Sequence, residues 1–385
     1  MITKNIKFKN FLVKKNPFNI KKKLSLLLNE NNLILKTLGT KYGYSYSNKF
    51  LQKFKKNNTI TLIGMGGSIL GSQAIYDFLK FKIKKKFFFI NNLNNFISKK
   101  IKKTKNLNLI ISKSGNTLET ISNFNIFIKK KDKNIFITEN NNNYLLNLGK
   151  KLKAEIIEHK NYIGGRYSVL SEVGMLPAQL MGLNEKRFKQ FDNLIKNKKF
   201  LNNLIRNVEN TLYFLKKDKF TSIILNYDEG SQNIFKWYQQ LVSESLGKKS
   251  KGILPFVSSM PKDNHSLMQL YLDGPQKSFY TFFYVHDKNS LKLKTNLLIP
   301  PMDYLKNKSI KKIIYSQKIA TEKVFKKRNI PFRSFEIFKR EEKTLGELFT
   351  FFILETILLG RALNVNPFDQ PSVELIKKET KKILI

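Results

Sequence analysis

The chain of 385 residues contains no cysteine. Disulfide bonds, cysteine-ligated zinc, iron–sulfur clusters and a thiol nucleophile are therefore excluded. No apolar run approaches the roughly 20 residues that a membrane-spanning helix needs. The longest candidate, at 349–360, is short and is interrupted by Glu355. We therefore expect a cytoplasmic protein that has neither disulfides nor a membrane span.

Acidic residues and arginines are scarce. The 28 Asp and Glu stand against 71 Lys and Arg, which gives a net charge of +43. Such an excess is typical of proteins that bind nucleic acid or an anionic membrane. However, only seven of the basic residues are arginine, the side chain that reads bases and phosphates in a bidentate manner, and the lysines are scattered along the chain. We predict no specific nucleic-acid partner and no membrane partner.

Short apolar runs rich in β-branched and aromatic residues alternate with helix-like segments. These runs occupy 58–64, 85–90, 106–112, 133–138, 154–158, 220–226 and 278–285. Such a pattern indicates parallel sheets covered on both faces, and it begins again after a helix-like stretch. We therefore predict an α/β protein of two tandem doubly wound units. The first unit, 1–182, includes a basic N-terminal segment that we expect to be solvated, and the second, 183–385, ends in a helix.

Two polar loops follow strands at the edge where a parallel sheet binds its ligands. In the first, at 64–72, Gly66 and Gly67 allow a sharp turn, and Ser68 lies near a helix N-terminus, which attracts anions. Ile69 occupies the third glycine position of the dinucleotide fingerprint, and the acidic ribose-binding residue is missing as well. This loop therefore favours a phosphate over a dinucleotide.

The second loop, SKSGNTLET, begins directly after an apolar strand. Ser112, Ser114 and Thr117 offer hydroxyls, Lys113 offers an amine, and a helix begins near Thr117. Hydroxyl donors beside a helix N-terminus are typical of a site for one phosphate monoester. The alternative is an ordinary helix cap by the threonine, which accounts for only one or two of these hydroxyls.

Four further segments resemble, in order, signature blocks of the glucose-6-phosphate isomerase family. They are GGRYSVLSEVGMLP at 164–177, WYQQLVSESLGKKSKGILP at 237–255, DNHSLMQLYLDGP at 263–275 and NPFDQPSVELIKK at 366–378. The resemblance implies two sugar isomerase (SIS) domains, each with a mainly parallel five-stranded sheet flanked by helices. It also implies a homodimer that converts glucose 6-phosphate reversibly to fructose 6-phosphate through a cis-enediolate, without a cofactor or a metal.

The resemblance also implies which residues form the site. Those that contact the substrate would be Gly67, Ser68, Ser112, Lys113, Ser114, Thr117, Gln240 and Gln370. Four others would be catalytic: Glu244 as the base, Arg166 beside the intermediate, and His265 and Lys377 in ring opening. In the family the histidine crosses to the active site of the neighbouring subunit. Glu119 is expected to orient that imidazole, as carboxylates commonly do.

The residues themselves leave alternatives open. Glu244 lies near the end of a predicted helix, and Gln240 lies one turn earlier on the same face, which suits a positioned base. Position alone nevertheless favours a solvated glutamate. Position alone also makes Lys377 a surface residue and Arg166 the partner of a surface acid, whereas His265 lies in a polar loop that suits a proton shuttle.

Several positions depart from the family pattern, including Lys262 and Asp263, which replace a more apolar or threonine-rich lead-in to His265. Asn116 replaces a threonine, and Ser372 and Ile376 replace small glycines near the C-terminal lysine. None of these departures removes a predicted catalytic group. The alternative function is a non-catalytic SIS protein that senses a sugar phosphate, since such a protein would keep the hydroxyl loop and would need no base.

Overall fold

A computed structural model describes residues 1–13, 18–93, 107–129, 132–287 and 289–385. Two five-stranded sheets organise this part of the chain, one in each half. Helices connect the strands, so that the parallel strands of each sheet are joined by crossovers. The predicted two-unit α/β arrangement is confirmed in this respect.

The strands of the first sheet are β2 (Thr59–Gly64), β3 (Lys86–Ile90), β4 (Leu107–Ile111), β5 (Lys133–Thr138) and β6 (Glu155–Glu158). They are all parallel and follow the order β3-β2-β4-β5-β6. The central strand β4 is buried at all five positions, as expected when both faces of a sheet are covered. Gly64 lies opposite Ile111, so the loops that follow β2 and β4 are neighbours at one edge of the sheet.

The strands of the second sheet are β1 (Ile6–Lys9), β7 (Thr221–Asn226), β8 (Leu254–Ser259), β9 (Ser278–Val285) and β10 (Phe332–Ile337). They follow the order β1-β10-β9-β7-β8, and all except β1 are parallel. The sequence patterns predict β7 and β9 but not the other three. In β10 the reason is chemical, because buried Arg333 and Glu336 interrupt the apolar run.

The N-terminal segment is not merely a solvated extension of the first unit. Strand β1 pairs antiparallel with β10 and so completes the sheet of the second half. Ile6 and Phe8 are buried there, while Lys7 and Lys9 face solvent, which is the alternation of an edge strand covered on one face. The division of the chain between 182 and 183 stays a prediction.

Fourteen α-helices are present among the described residues. They are α1 (Ile20–Asn29), α2 (Leu33–Leu38), α3 (Asn48–Gln52), α4 (Leu70–Leu79), α5 (Leu118–Phe127), α6 (Tyr144–Lys151), α7 (Glu172–Leu180), α8 (Phe191–Leu194), α9 (Lys198–Lys216), α10 (Gln232–Leu246), α11 (Met268–Asp273), α12 (Ile310–Lys327), α13 (Glu342–Ala362) and α14 (Val373–Leu384). Within the described ranges no helix is long and apolar enough to cross a membrane.

Helix α10 joins the two halves. It packs against α4 of the first half and against α13 of the second. The amide of Asn233 on α10 donates a hydrogen bond to the carboxylate of Asp77 on α4. Helix α13 contains the apolar run of 349–360 and is buried over almost its whole length, and its Glu355 is paired with Arg333 of β10. Helix α10 is therefore held between two packed layers.

Candidate active site

The glycine loop after β2 forms one wall of the site. Gly66 has φ of +52°, a left-handed conformation that favours glycine, and a Cβ there would lie 2.7 Å from the amide nitrogen of Gln240. Gly67 packs directly on the backbone of Gly165, with no room for a side chain. Ser68 follows at the start of the helical segment and is half-buried. The two glycines thus let the loop approach both α10 and the segment that carries Arg166.

The loop after β4 presents the predicted hydroxyls at the neighbouring position. The hydroxyls of Ser112 and Thr117 lie 2.8 Å apart, and Ser114 is exposed. Thr117 occupies the N-cap position of α5, but its side chain accepts no hydrogen bond from a helix amide. Lys113 forms an ion pair with Glu139 at 3.5 Å. Hydroxyls and the N-terminus of a ten-residue helix therefore lie together, as an anion site requires.

Two asparagines fix the shape of this loop. Gly115 has φ of +66°, and a Cβ there would lie 1.8 Å from the amide oxygen of Asn143. Asn143 caps α6 by accepting a hydrogen bond from Leu146 N. Asn116 accepts one from Tyr144 N at 3.0 Å, so this departure from the family pattern links the loop to the same helix. The loop is thereby anchored to α6.

Arg166 is buried at the centre of the site, with 1% of its surface exposed. It lies in a 3₁₀ helix at Gly165–Leu170 and uses all its nitrogens. Nε donates to Ser245 Oγ at 2.8 Å, and Nη2 donates to the carbonyls of Pro367 and Asp369. Nη1 donates to Gln370 Oε1 at 2.8 Å and to Glu244 Oε2 at 3.3 Å. The guanidinium therefore connects the end of α10 to the segment at 366–370.

Glu244 and Gln240 lie on the same face of α10, as their spacing predicts. Gln240 Nε2 donates a hydrogen bond to Glu244 Oε1 at 2.9 Å. The other carboxylate oxygen faces Arg166. The side chain of Glu244 is 26% exposed, so it is held on both sides and still reaches the surface of the site. This is the geometry of a positioned base rather than of a solvated glutamate.

The backbone around Arg166 is held as firmly as its side chain. The indole of Trp237, the only tryptophan, donates a hydrogen bond to Arg166 O at 3.1 Å. Tyr167 OH lies 2.9 Å from Ser245 Oγ and donates to Pro367 O at 3.0 Å, and burial raises the pKa of this phenol. The segment at 366–370 is also held from outside, because Lys248 forms an ion pair with Asp369 at 2.7 Å, and this contact lowers the pKa of the Asp369 carboxyl.

Three predicted residues lie apart from this cluster in the single chain. His265 is exposed at the end of a 3₁₀ turn, and Glu119 lies in the first turn of α5. No hydrogen bond joins their side chains within the described part of the chain. Lys377 is exposed on α14, where it forms an ion pair with Glu374 at 2.6 Å. Hydrogen bonds and close packing therefore bring together Arg166, Gln240, Glu244, Gln370 and the glycine loop. Within the described residues, no hydrogen bond joins these three residues, or the polar side chains of the loop after β4, to that cluster.

Several residues that build the site escape prediction from the sequence. Ser245, Tyr167, Trp237 and Asn143 hold its members in place, although the sequence analysis assigns a role to none of them. Ser245, Tyr167 and Trp237 lie within the segments that resemble the family, and this is the signal that could have found them, whereas Asn143 lies outside those segments. Within the described ranges, no group of three or more His, Asp or Glu is arranged to hold a metal ion.

Comparison with known proteins identifies relatives of this chain. The family model described as phosphoglucose isomerase matches residues 47–260. A protein named glucose-6-phosphate isomerase from Methanocaldococcus jannaschii is 33% identical to this chain, and the alignment covers 85% of each of the two chains. One of the same name from Mycoplasmopsis pulmonis is also 33% identical, over 86% of this chain and 84% of that relative.

Solved structures show the same fold. The crystal structure of a glucose-6-phosphate isomerase from Chlamydia trachomatis superposes with a TM-score of 0.70 at 18% identity, over 97% of this chain and 76% of that chain. That of a hypothetical protein from Thermus thermophilus superposes with a TM-score of 0.78 at 21% identity, over 95% and 94%. The predicted α/β fold class is thereby confirmed. With the family model matching more than half of its length, this chain belongs to the phosphoglucose isomerase family.

Proposed function

We propose that the protein interconverts glucose 6-phosphate and fructose 6-phosphate. The observation that carries this proposal is the position of Glu244, whose two oxygens are held by Gln240 and Arg166 beside a glycine loop. Aldose–ketose isomerisation needs one base that removes a proton and returns it to the adjacent carbon. The relatives named glucose-6-phosphate isomerase support the choice of substrate.

The hydroxyl loop would bind the phosphate. Ser112, Ser114 and Thr117 donate through their hydroxyls, and the amides at the start of α5 add the positive end of a helix dipole. Lys113, already paired with Glu139, contributes a cation at the rim. Because the ends of β2 and β4 are neighbours, a sugar anchored here extends towards Gly67 and Ser68. The far end of the sugar then reaches α10.

Glu244 would move the proton between C2 and C1 through a cis-enediolate. Its carboxylate takes the proton from one carbon and delivers it to the other, so no cofactor takes part. Gln240 fixes one oxygen by a hydrogen bond of 2.9 Å. The oxygen facing Arg166 makes the longer contact of 3.3 Å. The carboxylate is thus oriented before the substrate arrives, which lowers the entropic cost of the reaction.

Arg166 would stabilise the negative charge of the intermediate. Its Nη1 lies between Glu244 and Gln370, while Nε and Nη2 are bound to groups that do not react. A preorganised cation beside the developing enediolate lowers the barrier without further reorganisation. Gln370, which accepts a hydrogen bond from Nη1, would contact the substrate at the same point.

Ring opening would involve residues from a second copy of the chain. His265 is exposed and is not part of the Glu244 cluster of its own chain. In a homodimer it would reach the neighbouring site, where Glu119 would fix its tautomer. Lys377 would assist from α14 after leaving Glu374. The homodimer and a cytoplasmic location are parts of this proposal.

Direct turnover separates this function from that of a sugar-phosphate sensor. Purified protein is incubated with glucose 6-phosphate in EDTA, and fructose 6-phosphate is followed by a coupled assay. We expect steady product formation that EDTA does not affect. Calorimetric binding of both hexose 6-phosphates with no product would reject the isomerase and favour the sensor.

A further inference from the structure

Lys189 is a buried ammonium that the proposed reaction does not use. Only 4% of its surface is exposed. Its Nζ donates to two backbone carbonyls, those of Thr37 and Leu170. The same nitrogen lies 4.7 Å from the ring centre of Tyr42 and 5.0 Å from that of Tyr44. Two carbonyls and two aromatic faces therefore surround one cation.

The second of these carbonyls belongs to the element that carries Arg166. Leu170 is the last residue of the 3₁₀ helix that begins at Gly165, one residue before the arginine. Carbonyls at a helix C-terminus lack partners within the helix, and a cation there is favourable. Thr37 lies in the last turn of α2, so Lys189 lies where two helix ends meet. It holds the far end of the Arg166 element.

The residues just after Leu170 are fixed by the same region. Glu172 is fully buried at the start of α7. Its carboxylate accepts a hydrogen bond from Tyr42 OH at 2.8 Å and another from Ser45 N at 3.0 Å. The opposite end of the 3₁₀ helix, at Gly165, packs on Gly67. Both ends of the short element are therefore clamped.

This arrangement has an energetic cost. Burial lowers the pKa of Lys189 to about 7, although the nearby carboxylates of Glu172 and Glu185 act in the opposite direction. An apolar side chain of similar length would avoid the loss of hydration but would leave two buried carbonyls without partners. A buried amine that donates to the Arg166 element and to the end of α2 therefore suits a role in holding that element in one position.

We propose that Lys189 is a positioning residue, which holds the 3₁₀ helix through Leu170 O and so keeps the guanidinium of Arg166 in contact with Glu244. The inference rests on the proposed roles of those two site residues. Its geometric part can be tested without turnover, because Trp237 donates a hydrogen bond to Arg166 O. As the only tryptophan, it reports directly on the backbone of that arginine.

The test compares two substitutions of buried lysines. Lys189→Met removes the cation and its donors at nearly constant length. Lys318→Met is the matched control, because that lysine is also fully buried but pairs with Glu336 in the second sheet. Tryptophan emission and steady-state kinetics are measured on folded full-length protein, at a temperature below the unfolding transition of every variant compared. Lys189→Gln, whose shorter amide reaches at most one carbonyl, is a milder second variant.

We expect Lys189→Met to shift the emission of Trp237 and to lower kcat about tenfold or more, with KM changed much less, because a displacement near 1 Å has effects of this order. Lys318→Met keeps the wild-type emission and kcat, and Lys189→Gln lies between. Wild-type emission and kcat in folded Lys189→Met would overturn the proposal. If Lys189→Met fails to fold, wild-type emission and kcat in Lys189→Gln would overturn the proposal instead. If the wild type lacks isomerase activity, the emission comparison still decides the geometric part.

Discussion

The substitution Gly67→Ala tests how closely the glycine loop must approach the segment that carries Arg166. A Cβ at this position would lie 2.1 Å from Gly165 C, 2.3 Å from its carbonyl oxygen and 2.7 Å from Arg166 N. Non-bonded carbon atoms rest about 3.5–4.0 Å apart, so Gly67→Ala requires a shift of about 1.4 Å or more. The opposing atoms belong to the backbone and cannot rotate away. We expect a loss of about 1–3 kcal/mol in the free energy of unfolding.

The same shift moves the element that carries Arg166. Since a misplacement near 1 Å can cost about 100-fold, we expect kcat/KM to fall by one to two orders of magnitude, which is about 1.4–2.7 kcal/mol. Stability is measured by urea unfolding and activity by the coupled assay. Gly43→Ala is the control, because nothing lies within 4 Å of a Cβ there, and its expected effect is within about 0.5 kcal/mol. A Gly67→Ala protein with wild-type midpoint and kcat/KM would refute the close packing of Gly67 on Gly165.

Three further predictions address other parts of the chain. Asn143→Ala removes the side chain that lies against Gly115, so KM should rise severalfold with kcat changed less; an unchanged KM would contradict the role of α6 in shaping the phosphate loop. Arg333→Met removes the cation that pairs with Glu355 in the core and should destabilise by about 3–5 kcal/mol in urea unfolding, whereas the double variant Arg333→Met/Glu355→Leu should recover part of that loss. Glu336 has a pKa lowered to about 2, chiefly by a hydrogen bond with His286, so the stability it contributes is present above about pH 4.5 and is lost as the pH falls towards 2. The stability gap between wild type and Glu336→Gln, of order 3 kcal/mol at neutral pH, should therefore close on acidification, and a gap that stays constant would reject this assignment.

The apolar strands could be predicted because burial on both faces leaves a continuous hydrophobic run. β4 is one such strand. β1 and β10 could not be predicted from the sequence, for two different reasons. The four residues of β1 alternate between apolar residues and lysines, and their partner strand comes from the far end of the chain. β10 buries charges that are compensated by side chains distant in sequence, such as Glu355. Long-range pairing of this kind leaves no local pattern.

The site likewise contains contacts that could be predicted from the sequence and contacts that could not. The contact between Gln240 and Glu244 follows from helical geometry, because residues four apart share a face. The complete burial of Arg166 does not follow from its sequence position, since its partners come from α10 and from the segment at 366–370. The buried contacts of Lys189 could not be predicted either, because one lysine among so many basic residues carries no local sign of burial.

The central claim is that Glu244 transfers a proton between neighbouring carbons of a bound sugar phosphate. Its most direct test is hydrogen exchange at C2 of glucose 6-phosphate in deuterated water, followed by NMR, for the wild type and Glu244→Gln. The amide keeps an oxygen that can accept the hydrogen bond from Gln240, so substrate binding should persist. We predict deuterium at C2 with the wild type and, with the variant, binding without exchange. Exchange by the variant at a rate near that of the wild type would contradict the account.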